Sequence, residues 1–209
     1  MNQSSKIRLL VVDDHPVVRQ GLVGMLEEAA DITVVGQAGN GREAVEIFRQ
    51  QQPDLTLMDL RMPEMDGVAA IIAICTEFDR ARIVILSTYD SDEDIYRGLR
   101  AGAKGYLLKD AEPAELLAAI RAVCRGQQYI PPTVGAKLVQ RMTSPELSDR
   151  ELEVLQLIAT GKSTPEISEM LHITDRTVNF HINHILSKLG VDDRTQAVLI
   201  GLRRGIVTL

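Results

Sequence analysis

The sequence predicts a doubly wound α/β domain followed by a separate, entirely helical domain. Three observations support this division. Five short apolar runs alternate with helical periodicity up to about residue 125, a segment with paired prolines follows, and only helical periodicity remains from Ser148 onward. Strands that alternate with helices indicate a parallel sheet, and strands that are apolar along their whole length are typical of a sheet covered on both faces.

The elements of the first domain, which we place at residues 6–125, follow one another at regular intervals. The apolar runs predict strands at residues 7–12, 32–35, 55–58, 83–86 and 105–108. Apolar residues at helical spacing predict helices over residues 18–26, 42–51, 68–78, 93–101 and 113–124. We expect the flavodoxin-like strand order 2-1-3-4-5.

A linker is predicted at residues 126–147, with one short helix over residues 132–142. The second domain, residues 148–209, is predicted to contain four helices. Capping signals open three of them, at residues 148–151 and 163–166 and at Thr174, and the fourth is predicted to run from about Arg194 toward Arg204. Two helices joined by a tight turn form a helix-turn-helix candidate, for which plain helical packing is the alternative.

Composition and charge argue against several classes of protein. The chain has no Trp and only 3% aromatic residues, which argues against stacking on single-stranded nucleic acid. The longest apolar run, residues 68–75, is too short to span a membrane, and the first residues lack the pattern of a signal peptide. We therefore expect a cytoplasmic protein in which Cys75 and Cys124 are reduced thiols. Residues 148–209 carry 7 Lys and Arg against 8 Asp and Glu, so this domain lacks the basic surface typical of nucleic-acid binding.

Polar residues follow four of the five predicted strands. Asp13 and Asp14 come after strand 1, Asp59 after strand 3, Ser87 after strand 4 and Lys109 after strand 5. The carboxyl ends of parallel strands meet at one edge of the sheet, where ligands bind. Three carboxylates that meet there repel one another, and a divalent cation such as Mg²⁺ relieves the repulsion. A solvated turn in which Asp14 caps the next helix is the alternative.

A bound metal would let a phosphoryl group approach Asp59 by neutralising charge on the transferring oxygens. Lys109 adds a second positive charge, and the Ser87 hydroxyl is placed beside the new phosphate. The order of these residues, with "LMDLRMPEMDG", "ILSTYD" and "KGYLLKD" around them, resembles the receiver domain of bacterial response regulators over residues 6–125.

The resemblance implies a phospho-acceptor, a Mg²⁺ site, a pair of switch residues and a phosphate-binding lysine. The implied residues are Asp59 as the acceptor; Asp14, Asp59 and the Arg61 carbonyl as direct metal ligands, with Asp13 acting through water; Ser87 and Tyr106 as the switch pair; and Lys109 at the phosphate. For Tyr106, a half-buried core position is the plain alternative.

The second domain, with "LSDRELEVLQLIATGKSTPEISEMLHITDRTVNFHINHILSKLGVDDRTQAV", is similar to the LuxR-type DNA-binding domain. Most of the matching residues are packing and capping positions. The combination of this domain with the receiver-like domain is similar to the NarL/FixJ family of transcriptional regulators. The family commonly has Asn, Ala and Lys where Thr164, Ser168 and Asn179 stand, and the missing Lys removes a phosphate or guanine contact.

The resemblance implies that the third helix of this domain lies in the major groove of DNA. The residues predicted to contact DNA are Arg176, Thr177, Asn179, Phe180, Asn183, Ser187 and Lys188. The two Asn amides are suited to adenine and the Phe180 ring to a thymine methyl, so we expect an A·T-rich half-site. Two His three residues apart, at positions 181 and 184, face the groove or pack on the helix. The alternative for the Asn residues is that they merely solvate the helix.

The resemblance implies a two-component transcriptional regulator. It accepts a phosphoryl group from a histidine kinase, binds double-stranded promoter DNA as a homodimer, contacts RNA polymerase and does not associate with membranes. It is not an enzyme beyond promoting its own phosphoryl transfer and dephosphorylation. Two alternatives are a receiver whose second domain acts through protein contacts, and a metal-dependent phosphohydrolase with Asp59 as nucleophile. The phosphohydrolase is disfavoured because Arg61 stands where an acid/base Asp would be needed.

Overall fold

The computed structural model describes residues 6–88, 91–143, 145–204 and 206–207. Residue 144 of the predicted linker and residues 205, 208 and 209 of the predicted second domain lie outside the described residues. Contacts divide the chain into two compact units, Met1–Arg141 and Met142–Leu209. Within the described parts, no helix combines the length and the apolar character needed to cross a membrane.

The first unit contains a five-stranded parallel sheet in the order β2-β1-β3-β4-β5, which confirms the predicted fold class and strand order. The strands are β1 (Ile7–Val12), β2 (Ile32–Ala38), β3 (Leu55–Met58), β4 (Ile83–Ser87) and β5 (Gly105–Leu108). The helices are α1 (Pro16–Glu27), α2 (Gly41–Gln51), α3 (Gly67–Glu77), α4 (Asp92–Arg100), α5 (Pro113–Cys124) and α6 (Pro132–Thr143).

Both faces of the sheet are covered. Successive side chains of a strand point to opposite faces, so Leu9 and Val11 join one apolar cluster while Leu10 and Val12 join the other. Helices α1 and α5 complete the first cluster, and α2, α3 and α4 complete the second. This arrangement explains why the strands are apolar at nearly every position.

Residues 127–141, which we call the tail segment, pack on the outer edge of β5. The Tyr129 N–H donates to the Lys104 carbonyl and the Tyr106 N–H donates to the Tyr129 carbonyl, both at 3.0 Å. Gly105 permits this approach, because a Cβ at that position would lie 3.0 Å from the Tyr129 carbonyl oxygen. Farther along, Val134 of α6 is buried in the cluster formed with α2, α3 and α4.

In its described residues, the second unit contains four helices, α7 (Asp149–Ala159), α8 (Thr164–Leu171), α9 (Asp175–Leu189) and α10 (Arg194–Arg203). Capping boxes open α7 and α8, as predicted from Ser148 and Ser163. Helix α8 ends at His172 in the left-handed conformation, and α9 begins after Thr174, so a tight turn joins the two helices. The inward face of α9 carries Val178, Ile182, Ile185 and Leu189, as its periodicity predicts.

Candidate functional site

The acidic side chains that follow β1 and β3 lie side by side at the carboxyl edge of the sheet. The two strands are neighbours, and Val12 pairs with Met58 immediately before Asp13 and Asp59. Ligand atoms of Asp13, Asp14, Asp59 and the adjacent His15 all lie within 4.8 Å of one another. Asp13 and Asp59 are almost completely buried. The structure thus brings together the three carboxylates expected to converge.

Lys109 reaches this cluster from the end of β5. Its Nζ lies 2.6 Å from Asp13 Oδ2 and 2.6 Å from Asp59 Oδ2. Burial raises the pKa of Asp59 above its ordinary value, although the hydrogen bond and charge of Lys109 act in the opposite direction. Burial alone would lower the pKa of Lys109, but its two carboxylate partners together raise it. One ammonium therefore contacts two of the three carboxylates, and the third, Asp14, lies beside His15.

The donor set fits a hard divalent cation. Asp14 Oδ1 is buried and, among the described residues, accepts no hydrogen bond of good geometry, although His15 Nδ1 lies 2.6 Å away. A buried carboxylate oxygen of this kind, beside two further carboxylates, suits Mg²⁺, which prefers oxygen ligands and retains several waters. Asp13, Asp14 and Asp59 are the residues that could hold the ion.

The loop after β3 is held in place on both sides of Asp59. The Leu60 N–H donates to Asp59 Oδ1 at 2.7 Å, which orients the carboxylate. The Gly67 N–H donates to the Leu60 carbonyl at 2.8 Å, and a Cβ at Gly67 would lie only 2.0 Å from the Asp59 carbonyl oxygen. Arg61, whose carbonyl is the predicted metal ligand, directs its side chain to Asp94 on α4. Gly67 and His15 were not singled out by sequence reasoning. Only the folded structure shows that Gly67 approaches the Asp59 carbonyl and that His15 lies beside Asp14.

The two predicted switch residues lie on the neighbouring strands β4 and β5. Ser87 and Tyr106 are both fully buried, so Tyr106 is more buried than the half-buried core position considered as its alternative. The Lys109 N–H donates to the Ser87 carbonyl at 2.9 Å, which joins the ends of the two strands. Ser87 therefore lies at the same edge of the sheet as Asp59 and Lys109.

A second candidate site is the outward face of α9. Arg176, Asn179, Phe180, Asn183 and Ser187 are exposed there. The Phe180 ring is 55% exposed, and its centroid lies 4.1 Å from that of His184 and 5.7 Å from that of His181. The face thus presents two amides beside an exposed aromatic cluster, which His184 joins.

Two of the residues predicted to contact DNA have hydrogen bonds within the second unit. The Thr177 hydroxyl lies 2.9 Å from the hydroxyl of Thr174, the N-cap of α9. Lys188 Nζ donates to Glu151 Oε2 at 2.7 Å and to the Glu146 carbonyl at 3.1 Å. Burial would raise the pKa of Glu151, but hydrogen bonds from Lys188 and Ser148 hold it below its ordinary value.

Comparisons with known proteins match both units of the chain. The family model described as response regulator receiver domain matches residues 9–121, and the model described as bacterial regulatory proteins, luxR family, matches residues 145–200. The transcriptional regulatory protein LiaR of Bacillus subtilis (strain 168) is 43% identical over 209 residues, which cover 96% of this chain and 99% of LiaR.

The solved structures that are similar over nearly the whole chain include two of RcsB. RcsB from Salmonella enterica serovar Typhimurium, bound to a promoter in the presence of the phosphomimetic BeF₃⁻, is 26% identical with a TM-score of 0.78 and covers 96% of this chain and 100% of its own. A structure of two RcsB dimers bound to two parallel DNAs is 27% identical with a TM-score of 0.78 and covers 96% and 99%.

Proposed function

The chain belongs to the bacterial response regulators that join a receiver domain to a LuxR-type DNA-binding domain, and from this premise we propose that phosphorylation of Asp59 controls its binding to promoter DNA. The phosphoryl donor is a partner histidine kinase. The observation that carries the proposal is the buried Asp59 carboxylate, with Lys109 Nζ at 2.6 Å and two further carboxylates beside it.

In the transfer step, a carboxylate oxygen of Asp59 attacks phosphorus, the bond from phosphorus to the donor nitrogen breaks, and the donor histidine leaves with that electron pair. Asp13, Asp14, Asp59 and the Arg61 carbonyl would hold Mg²⁺, which would neutralise charge on the oxygens of the transferring group. The Leu60 N–H orients the acceptor carboxylate, and Lys109 is free to exchange its bond to Asp59 for one to a phosphoryl oxygen. The product is an acyl phosphate on Asp59.

The output rests on the switch pair and on the second unit. A phosphoryl group on Asp59 would draw the Ser87 hydroxyl toward it, and the buried Tyr106 ring would follow. We propose that this change favours a homodimer that binds double-stranded promoter DNA in the cytoplasm and contacts RNA polymerase. The DNA-bound dimers of RcsB support the dimer and the DNA.

The exposed face of α9 is proposed to enter the major groove. Asn179 and Asn183 would read base edges and Phe180 would contact a thymine methyl. Arg176, Thr177, Ser187 and Lys188 would contact the phosphates, which position the helix without reading sequence.

The first test is chemical. Incubated with Mg²⁺ and a small acyl phosphate, the full chain should gain the mass of one phosphoryl group, and the label should be labile to base. Asp59→Asn should abolish the gain because an amide is a poor nucleophile, whereas Asp110→Asn, an exposed matched control next to Lys109, should not. Label mapped to Asp13 or Asp14 would contradict the proposed geometry.

The second test concerns output. The phosphorylated and the unphosphorylated chain are sedimented with promoter fragments. The phosphorylated chain should bind DNA as a dimer at a lower protein concentration than the unphosphorylated chain. An unchanged monomer on promoter DNA would remove the dimer from the proposal. A protein that binds no fragment even at low salt would instead favour a second domain that acts through protein contacts.

A further inference from the structure

The first turn of α4 has two neighbouring acidic residues with different partners. Asp94 Oδ2 accepts hydrogen bonds from the Ser91 hydroxyl at 2.7 Å and from the Arg61 guanidinium at 3.2 Å. Glu93 Oε2 accepts a hydrogen bond from Nε of Arg141, the last residue of the tail segment, at 2.7 Å. One turn of helix therefore bonds both to the loop that follows Asp59 and to the tail segment.

The contact with the tail segment is largely withdrawn from water. The side chains of Glu93 and Arg141 are 9% and 18% exposed, and the Arg141 guanidinium carbon lies 4.6 Å from the centroid of the Tyr96 ring. An ion pair at this degree of burial resists small displacements, since a misaligned partner that stays buried is a poorly hydrated charge, whereas full detachment returns both partners to water. Such a contact favours two discrete states, attached and detached, over a gradual loosening.

A second attachment involves a switch residue directly. The backbone N–H of Tyr106 donates to the Tyr129 carbonyl at 3.0 Å, so a movement of β5 at Tyr106 acts on the tail segment without an intermediate. Arg61 lies in the loop after β3, whereas Tyr106 lies in β5. The two routes from the Asp59 edge reach opposite ends of the tail segment, at Arg141 and at Tyr129.

We propose that the first turn of α4 and the edge of β5 hold the tail segment against the receiver, and that phosphorylation of Asp59 releases it. The trigger rests on the proposed function, whereas the attachment does not. A shift of the Arg61 loop would pull on Asp94 and misalign Glu93 with Arg141, while movement of Tyr106 would weaken the hold on Tyr129. Residues 127–141 would then join the connection to the second unit, which follows directly in the chain.

Hydrogen exchange of the full chain, measured by mass spectrometry on peptides from residues 127–143, tests the proposal. With Mg²⁺ and acetyl phosphate, exchange in this region should become roughly tenfold faster, and the intact mass of the same sample reports phosphorylation. Arg141→Ala should make exchange of residues 132–143 fast in both states, because the bond to Tyr129 holds only the start of the tail segment, and Arg141→Lys should restore part of the protection. Arg49→Ala, which breaks an exposed ion pair with Glu77, is the matched control and should leave it unchanged.

Asp94→Ala separates the two contacts, because it removes the carboxylate that bonds Arg61 and Ser91 and retains Glu93. This variant should be phosphorylated normally but should show a smaller increase in exchange of residues 127–143. Equal exchange in fully phosphorylated and unphosphorylated wild-type protein would overturn the release, and an unaltered profile in Arg141→Ala would overturn the attachment. A wild-type chain that gains no phosphoryl mass contradicts the proposed function and with it the trigger, while the Arg141→Ala result still decides the attachment.

Discussion

Lys188 on α9 and Glu151 on α7 are joined by a hydrogen bond of 2.7 Å between Nζ and Oε2. The same Glu151 oxygen accepts the backbone N–H of Ser148 at 2.7 Å and so completes the capping box of α7. Glu151 is 3% exposed, and its charge is therefore balanced mainly by these donors. The contact joins the C-terminal turn of α9, the helix proposed to enter the major groove, to the first turn of α7.

Lys188→Ala should therefore lower the free energy of unfolding of the second unit by about 1–3 kcal/mol, because Glu151 loses its charged donor while it stays buried. Urea titration of the full chain, followed through a methyl NMR signal of buried Val178, measures this. Arg176→Ala, an exposed change on the same helix, should leave stability unchanged and weaken DNA binding. Equal stability of the Lys188 variant and wild type would show that the bond contributes nothing.

The lowered pKa of Glu151 predicts a dependence of stability on pH. Because the folded state binds the proton less readily, the contribution of Glu151 is fully present above its ordinary pKa near 4.5 and is lost as pH falls through the lower, folded value. The difference in unfolding free energy between wild type and Glu151→Gln should thus shrink as pH falls below about 4.5. The same urea titration at a series of pH values tests it, with exposed Glu169→Gln as the control. A difference that is constant with pH would contradict the assignment.

Gly67→Ala should destabilise the first unit by about 1–3 kcal/mol or more, since the added Cβ would overlap the Asp59 carbonyl and force the acceptor loop to move. The rate of phosphorylation by acetyl phosphate should fall as well. Gly24→Ala is the matched control, because a Cβ there meets nothing within 4 Å in the exposed face of α1. That change should raise stability by about 0.5–1 kcal/mol. A normal rate in Gly67→Ala would show that the loop adapts.

Asn179→Ala should reduce discrimination at one base pair of the binding site by roughly 1–3 kcal/mol, whereas Arg176→Ala should weaken all sequences alike and lower the salt dependence. Binding to a set of half-sites with single substitutions, at several salt concentrations, separates the two effects. The base-reading role is wrong if Asn179→Ala and Asn183→Ala both leave affinity and sequence preference unchanged.

Much of the fold and of the Asp59 edge could be predicted because local pattern and sheet topology determine them. Apolar runs define the strands. Because β1 and β3 are neighbours in the strand order, Asp13 and Asp59, which follow them, lie close together. The attachment of the tail segment was not predictable in this way. Its prolines and glycines indicate a linker, and the burial of Val134 depends on a surface formed by distant elements. The partner of Lys188 was likewise hidden, because Glu151 is remote in sequence and serves as a helix cap.

The hydrogen bonds of Tyr129 also protect the edge of the sheet from pairing with other molecules at high protein concentration. Because β5 is the last strand in the order, its outer side would otherwise present free peptide groups on which the strand of another molecule could pair. Tyr129 takes the Tyr106 N–H and the Lys104 carbonyl on that side. A receiver cut after residue 125 would lose this cover, and we expect it to self-associate through β5 more readily than one that ends after Arg141.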